Sequence, residues 1–238
     1  MPNVASIMAD LKSKGSPNIR KLYSRHRMAP DRVFGVKVAD LKVVAKTIRG
    51  QQAVACDLLG TGNMEAMYLA GMVADGSKLT ASQLNQYLDD AEDLQMICEF
   101  TIPWLAVEHP HARELALSWI ASEKEHIAAA GWCTYTGLVT IRPDGNLNMD
   151  EIESLLQKIV HEIGSVQNRV RYTMNSFIIA VGTYVLPLKQ QAMQAARSIG
   201  TVLVDMGETA CKVPDAIAHI EKAEAAGKLG KKRKTIRC

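Results

Sequence analysis

Four consecutive cations, Lys231, Lys232, Arg233 and Lys234, are the densest chemical feature of the sequence. A cluster of this kind holds phosphates by charge and by release of their counterions, without reading base sequence. Gly227 and Gly230 precede it and argue against a rigid helix, which predicts a flexible basic arm. A solvated chain end is the plainer alternative. Arg169 and Arg171 lie in a helical stretch beside the apolar Val170, Met174 and Phe177. Paired helical arginines lining a concave surface would also meet phosphates; a surface salt bridge explains them equally well. His109 and His111 flank Pro110, but no acidic or cysteine cluster completes a metal ligand set there. The better reading is a loop at a helix start.

Other catalytic signatures are missing. The sequence has no Gly-rich phosphate loop, no His-Glu-x-x-His and no Gly-x-Ser-x-Gly. Its five cysteines, Cys56, Cys98, Cys133, Cys211 and Cys238, are scattered and odd in number. Reduced thiols in a cytoplasmic protein are the simplest reading, with no disulfide framework, metal or cofactor. The start of the chain lacks the apolar stretch of a signal peptide, and no apolar run could cross a bilayer. A monomer with no membrane association is expected.

The net charge of +3 conceals an uneven distribution. Residues 12–49 carry eleven Lys/Arg against two Asp, and residues 228–238 carry six Lys/Arg and no acid. Residues 50–227 carry eleven basic and twenty-two acidic residues. Two basic ends around an acidic middle favour a polyanionic partner; charges that merely solvate helix faces are the competing reading.

The elements that position these residues read as helices throughout. Aromatics make up only 5% of the chain, which suits helices better than sheets. Ser16-Pro17 marks one helix start, and Val38, Leu41, Val44 and Ile48 give the buried stripe of the next, ending at Gly50. Asn63 opens another, broken by Gly76. Thr80 and Gln83 form a capping box before Leu84, Tyr87 and Leu88. Pro110 opens a helix through Leu115, Trp119 and Ile120, and Glu125 to Val139 reads as an interior helix buried all round. Asn148 caps a helix with Ile152, Leu155, Leu156, Ile159, Val160 and Ile163 inward, ended by Gly164. Stretches 166–181 and 188–199 are helical, and Pro214 opens a last helix that closes at Gly227. Some ten helices on short loops predict an all-α fold, an α-solenoid of HEAT-like antiparallel helix pairs. One domain over residues 1–227 and a basic tail over 228–238 are expected, since no Pro/Gly/Ser-rich linker interrupts the chain.

Three stretches carry a family resemblance: Asn18 to Tyr23, Phe34 to Lys46, and Met64 to Ala70. In this order they resemble the DNA alkylation repair (AlkD-like) family. The resemblance implies HEAT-like repeats whose concave basic face holds duplex DNA. It also implies, for enzymatic members, excision of cationic alkylpurines such as 3-methyladenine and 7-methylguanine without metal or cofactor. There a carboxylate stabilises positive charge growing on the deoxyribose, and aromatic faces add cation–π attraction. In the family a Trp precedes the catalytic Asp by four residues, an Arg contacts the DNA backbone, and a second Trp follows on a later helix. The matching stretch here runs from Gln95 to Glu99. Glu99 takes the carboxylate position, and Gln95 replaces the first aromatic. The Arg position falls near His126 and the second Trp near Asn175 or Ser176. Trp104, Trp119 and Trp132 lie elsewhere and read as core.

The resemblance thus makes Glu99 the candidate catalytic residue, with an exposed helix charge as the alternative. Candidate DNA contacts are Gln95, His126, Arg169, Arg171, Asn175 and Lys231 to Lys234. Three functions compete: an alkylpurine DNA glycosylase, a non-catalytic module that binds alkylated, branched or plain duplex DNA, and a helical protein scaffold that uses the acidic middle.

Overall fold

Side-chain caps start several of the helices, because the first backbone N–H groups of a helix have no partner within it. In the computed structural model, which describes residues 2–26 and 28–237, Asn3 and Ser6 form a reciprocal capping box at the start of α1 (Val4–Ser13). Met1, Arg27 and Cys238 lie outside the described residues, so one of the five cysteines and one N-terminal cation do as well. Helix α2 (Pro17–Arg25) begins with proline at its first turn, as expected, but the Ser16 side chain makes no cap bond. After a short 3-10 turn come α3 (Val38–Thr47), α4 (Gln52–Leu59) and α5 (Met64–Val73). Asn63 caps α5 by accepting from the Ala66 N–H. Thr80 and Gln83 form the expected capping box on α6 (Ala81–Asp89).

A π-helical turn over Ile97–Thr101 leads into α7 (Ile102–Ala106). Then follow α8 (Ala112–Ile120), α9 (Glu125–Ile141), α10 (Met149–Glu162), α11 (Asn168–Tyr184), α12 (Lys189–Ile199) and α13 (Ala216–Ala225). Asn148 caps α10 through the Glu151 N–H, and Asp215 caps α13 through the Ala218 N–H. No strand occurs among the described residues. Neither α1 nor α4 is foreseen by the sequence reading. Helix α4 is eight residues long with no side-chain cap, so it lacks the start signal that marks α5.

The chain forms two compact units. The first comprises Met1–His111, Met206–Ala210 and Arg237–Cys238, and the second Ala112–Asp205 and Cys211–Ile236. In the first unit α5 is the interior helix. Every residue from Met64 to Gly71 is buried, and α3 and α4 pack on it. Trp104 lies edge-on against Tyr68 with ring centroids 5.2 Å apart.

The second unit is organised on α9 and α11. Trp132 and Tyr135 of α9 meet Phe177 of α11 edge-on, at 5.3 and 5.7 Å. All three tryptophans are core residues, at 3% exposure for Trp104, 4% for Trp119 and none for Trp132. Helix α9 approaches α8 through Gly131. A Cβ there would stand 2.5 Å from the Ile120 nitrogen and 2.8 Å from the Ala116 oxygen, both backbone atoms of α8. Gly131→Ala is therefore expected to cost about 1–3 kcal/mol through forced separation of the two helices. A thermal melt checks this; an unchanged melting temperature would mean that α8 and α9 separate without loss.

The tail is not helical, as its glycines suggest, but it is no free arm. Lys228 N–H donates to Ala223 O at 2.9 Å, Gly230 N–H to Thr183 O at 2.8 Å, and Arg233 N–H to Thr140 O at 3.0 Å. Gly227 and Gly230 both adopt positive φ, which folds the segment back on its own unit. The flexible-arm expectation fails because charge does not stop the backbone from bonding, and the Lys228, Gly230 and Arg233 N–H groups all find acceptors on the second unit.

Candidate nucleic-acid interface

The second and third resemblance stretches meet at a buried carboxylate. Glu65 on α5 has no solvent exposure. Its Oε1 accepts from the Gly35 N–H at 2.5 Å and the Val36 N–H at 3.0 Å, while Oε2 accepts from the Phe34 N–H at 3.0 Å. Three backbone donors converging on one carboxylate satisfy a charge that would otherwise be costly to bury. Gly35 makes the turn possible: its φ is +83°, and a Cβ would stand 2.5 Å from the Ser16 oxygen. Tyr23 donates to Val36 O at 3.1 Å. Burial, helped by the negative charge of Glu65, pushes its hydroxyl up from 10.0 to about 12, so it stays protonated as a donor. The loop between α2 and α3 is thereby fixed, and with it the direction in which α3 leaves.

Helix α3 carries a feature the sequence reading registered only as bulk charge. Lys42 and Lys46 stand one turn apart, with Arg49 in the turn that follows, and all three are exposed. Lys21 and Arg25, likewise one turn apart, are exposed on α2. Among the described residues none of these five cations pairs with a carboxylate. The spacing of four and then three was the available signal. Three other cations of residues 12–49 make contacts within the fold. Arg32 donates to Gly62 O at 2.9 Å, Lys14 pairs with Asp10, and Arg20 reaches Phe34 O at 3.3 Å.

Glu99 lies in the π-helical turn of the same unit. Pro103 explains that turn: it has no N–H for the Glu99 carbonyl four residues back, and its ring would collide with that carbonyl. The turn widens, and the Ile102 N–H bonds to Ile97 O instead. Glu99 is 6% exposed, which removes the exposed-helix-charge alternative. Gln95, one turn earlier, is half-buried. Phe100 is 44% exposed, and its ring stands 6.4 Å from that of buried Trp104. Cys98 is buried, its Sγ 3.1 Å from Ala91 O. Burial and the adjacent Glu99 charge push its thiol well above the usual range, so it is no nucleophile.

In the second unit His126 and Glu125 begin α9. Glu125 accepts from the Arg169 N–H at 2.7 Å, which ties the starts of α9 and α11 together. The Arg169 guanidinium lies 4.4 Å over the Tyr172 ring, and Arg171 is half-buried beside it. Asn175 is an interior residue, 1% exposed, whose amide donates to Pro214 O at 2.8 Å. That bond holds the segment before α13, so its present place is structural. Ser176 donates to Tyr172 O at 3.0 Å.

The four tail cations divide. Lys232 is anchored, pairing with Asp144 at 2.7 Å and donating to Val139 O at 2.8 Å. Lys231, Arg233 and Lys234 are exposed. Among the described residues no group of three His, Cys, Asp or Glu side chains could hold a metal ion. His109 is buried, and its Nδ1 accepts from the His111 N–H at 3.0 Å, so this pair shapes the loop before α8. No helix of the described residues is long and apolar enough to cross a membrane.

Comparison with known proteins places this arrangement. The sequence matches the profile of the DNA alkylation repair enzyme family over residues 7–220. It is 32% identical over 218 residues to uncharacterized proteins of Listeria innocua and Listeria monocytogenes, covering 90% of this chain and 94% of each of them. A solved structure covers both chains completely, with a TM-score of 0.90 and 30% identity. It is described as a new family of proteins related to the HEAT-like repeat DNA glycosylases with affinity for branched DNA structures.

Proposed function

The chain belongs to the DNA alkylation repair enzyme family, and from that premise we propose that it binds branched DNA through phosphate contacts and does not excise alkylated bases. The observation that carries this reading is the full-length likeness, at a TM-score of 0.90, to a protein family with affinity for branched DNA. The exposed, unpaired cations of α2 and α3 and the exposed cations of the tail supply the charge such binding needs. Duplex arms would be held by their backbones, so base sequence is not read and no metal is required.

Excision chemistry is poorly supported. A cationic alkylpurine needs a carboxylate that reaches the sugar and aromatic faces that hold the ring. Glu99 is 6% exposed, Gln95 stands where an aromatic would, and the tryptophans are core residues. Glutamate also has one more methylene than aspartate, and a displacement on the order of 1 Å can cost about 100-fold where geometry governs the rate. Methylated duplex DNA incubated with the protein is therefore expected to release no 7-methylguanine or 3-methyladenine above background. Release that is lost in Glu99→Gln with DNA affinity intact would establish a glycosylase instead.

Binding is tested by titrating a four-way junction with protein at several salt concentrations. The logarithm of the affinity should fall linearly with that of the salt, with a slope of about 0.9 for each phosphate neutralised. Substituting Lys231, Arg233 and Lys234 together by Ala should flatten the slope. Point substitution is preferable to truncation, because truncation also removes the Arg233 N–H to Thr140 bond and the Lys232 to Asp144 pair.

A further inference from the structure

The docked tail closes one side of a cavity of about 460 Å³ within the second unit. Lys228, Lys231 and Arg233 line it from the tail, His219 from α13, and Thr183 and Tyr184 from the end of α11. We propose that this cavity binds a nucleotide by its terminal phosphomonoester, either free or at the end of a DNA strand. The source would be DNA on the binding reading above, but the pocket's chemistry stands without it.

The arrangement is built rather than incidental. Along the tail, Lys231 and Arg233 face the cavity while Lys232, between them, is turned away to Asp144 and Val139 O. The backbone bonds of Lys228, Gly230 and Arg233 fix the loop, so the cations are presented in place. Gly230 has a φ of +68°, and a Cβ there would stand 2.4 Å from Leu186 Cδ1, which lets the loop close against the chain just after α11.

Two features specify the ligand. Three cations and an imidazole exceed what one internal phosphodiester charge needs, whereas a terminal phosphate carries nearly two negative charges at neutral pH. Beside them Tyr184 and the apolar Ile179 and Ala223 line the cavity, offering a ring face and dry surface to a base. The volume suits one small ligand and excludes a duplex.

The test uses the full chain and deoxyadenosine 5′-monophosphate, measured by calorimetry against deoxyadenosine. The nucleotide should bind and the nucleoside should not. Oligonucleotides ending in 5′-phosphate, 3′-phosphate or hydroxyl separate the sources: tighter binding of a phosphorylated end places the ligand on DNA, and binding of the mononucleotide alone makes it a free metabolite. Arg233→Ala keeps the backbone bond to Thr140 O and should weaken the mononucleotide at least tenfold, the loss of one charge-assisted bond. Ala223→Trp keeps every cation but fills the cavity. With circular dichroism and melting temperature unchanged, it should abolish nucleotide binding and leave linear duplex binding within about twofold.

Nucleotide binding equal to that of the nucleoside, with phosphorylated ends no tighter than hydroxyl ends, would overturn the proposal. So would Ala223→Trp without effect on the nucleotide. Junction binding intact while both the mononucleotide and the phosphorylated ends fail sinks the pocket alone; mononucleotide binding without any DNA affinity sinks the DNA-binding reading alone.

Discussion

Glu65→Ala should lower the stability of the protein by about 3–5 kcal/mol, because it strands three buried backbone donors. The Phe34, Gly35 and Val36 N–H groups all end on this carboxylate, which is wholly buried. Each donor left without an acceptor away from water costs about 1–3 kcal/mol, and partial relaxation keeps the total below the simple sum. Glu65→Gln should cost less, because a carboxamide oxygen can keep the Gly35 and Val36 bonds while its NH2 confronts the Phe34 donor. The urea midpoint checks both. A loss under about 1 kcal/mol for Glu65→Ala would mean the loop holds its shape without the carboxylate. The loop precedes α3, so this structural residue also decides where Lys42 and Lys46 are presented.

The functional counterpart is the removal of charge from α3. Lys42→Ala, Lys46→Ala and Arg49→Ala combined should reduce junction affinity by on the order of 100-fold near physiological salt and flatten the salt slope by about 2.7. All three residues are exposed, so the melting temperature should hardly move. A variant that folds and binds like the unmodified protein would take α3 out of the interface. Equal losses on linear and branched DNA would show that these residues hold phosphates without recognising the branch.

Several helices were legible from a local signal. Asn63, the Thr80–Gln83 pair and Asn148 announce α5, α6 and α10, because a cap requires particular side chains at fixed spacing. Helices α1 and α4 were not read; α4 has no such side-chain cap, whereas the Asn3–Ser6 box of α1 was a signal the reading passed over. Site geometry was less accessible, because burial is a property of the fold. Glu99 is as compatible with a surface as with an interior until the Pro103 turn is seen. Asn175 matched an aromatic position by counting, yet its amide is committed to Pro214 O thirty-nine residues away. Glu65 was noticed only as part of a family stretch, since its partners lie about thirty residues earlier. The tail's charge was evident, but its docking depends on Thr140 and Thr183, which no local pattern connects to it.

Preference for branched over linear DNA is measured directly by one competition. A labelled four-way junction bound to the protein is challenged with unlabelled junction or with linear duplex of the same length and total base pairs, at physiological salt. The junction should compete at least tenfold better. Equal competition by the two would reduce the protein to a general phosphate binder, and no binding of either would contradict DNA as its partner.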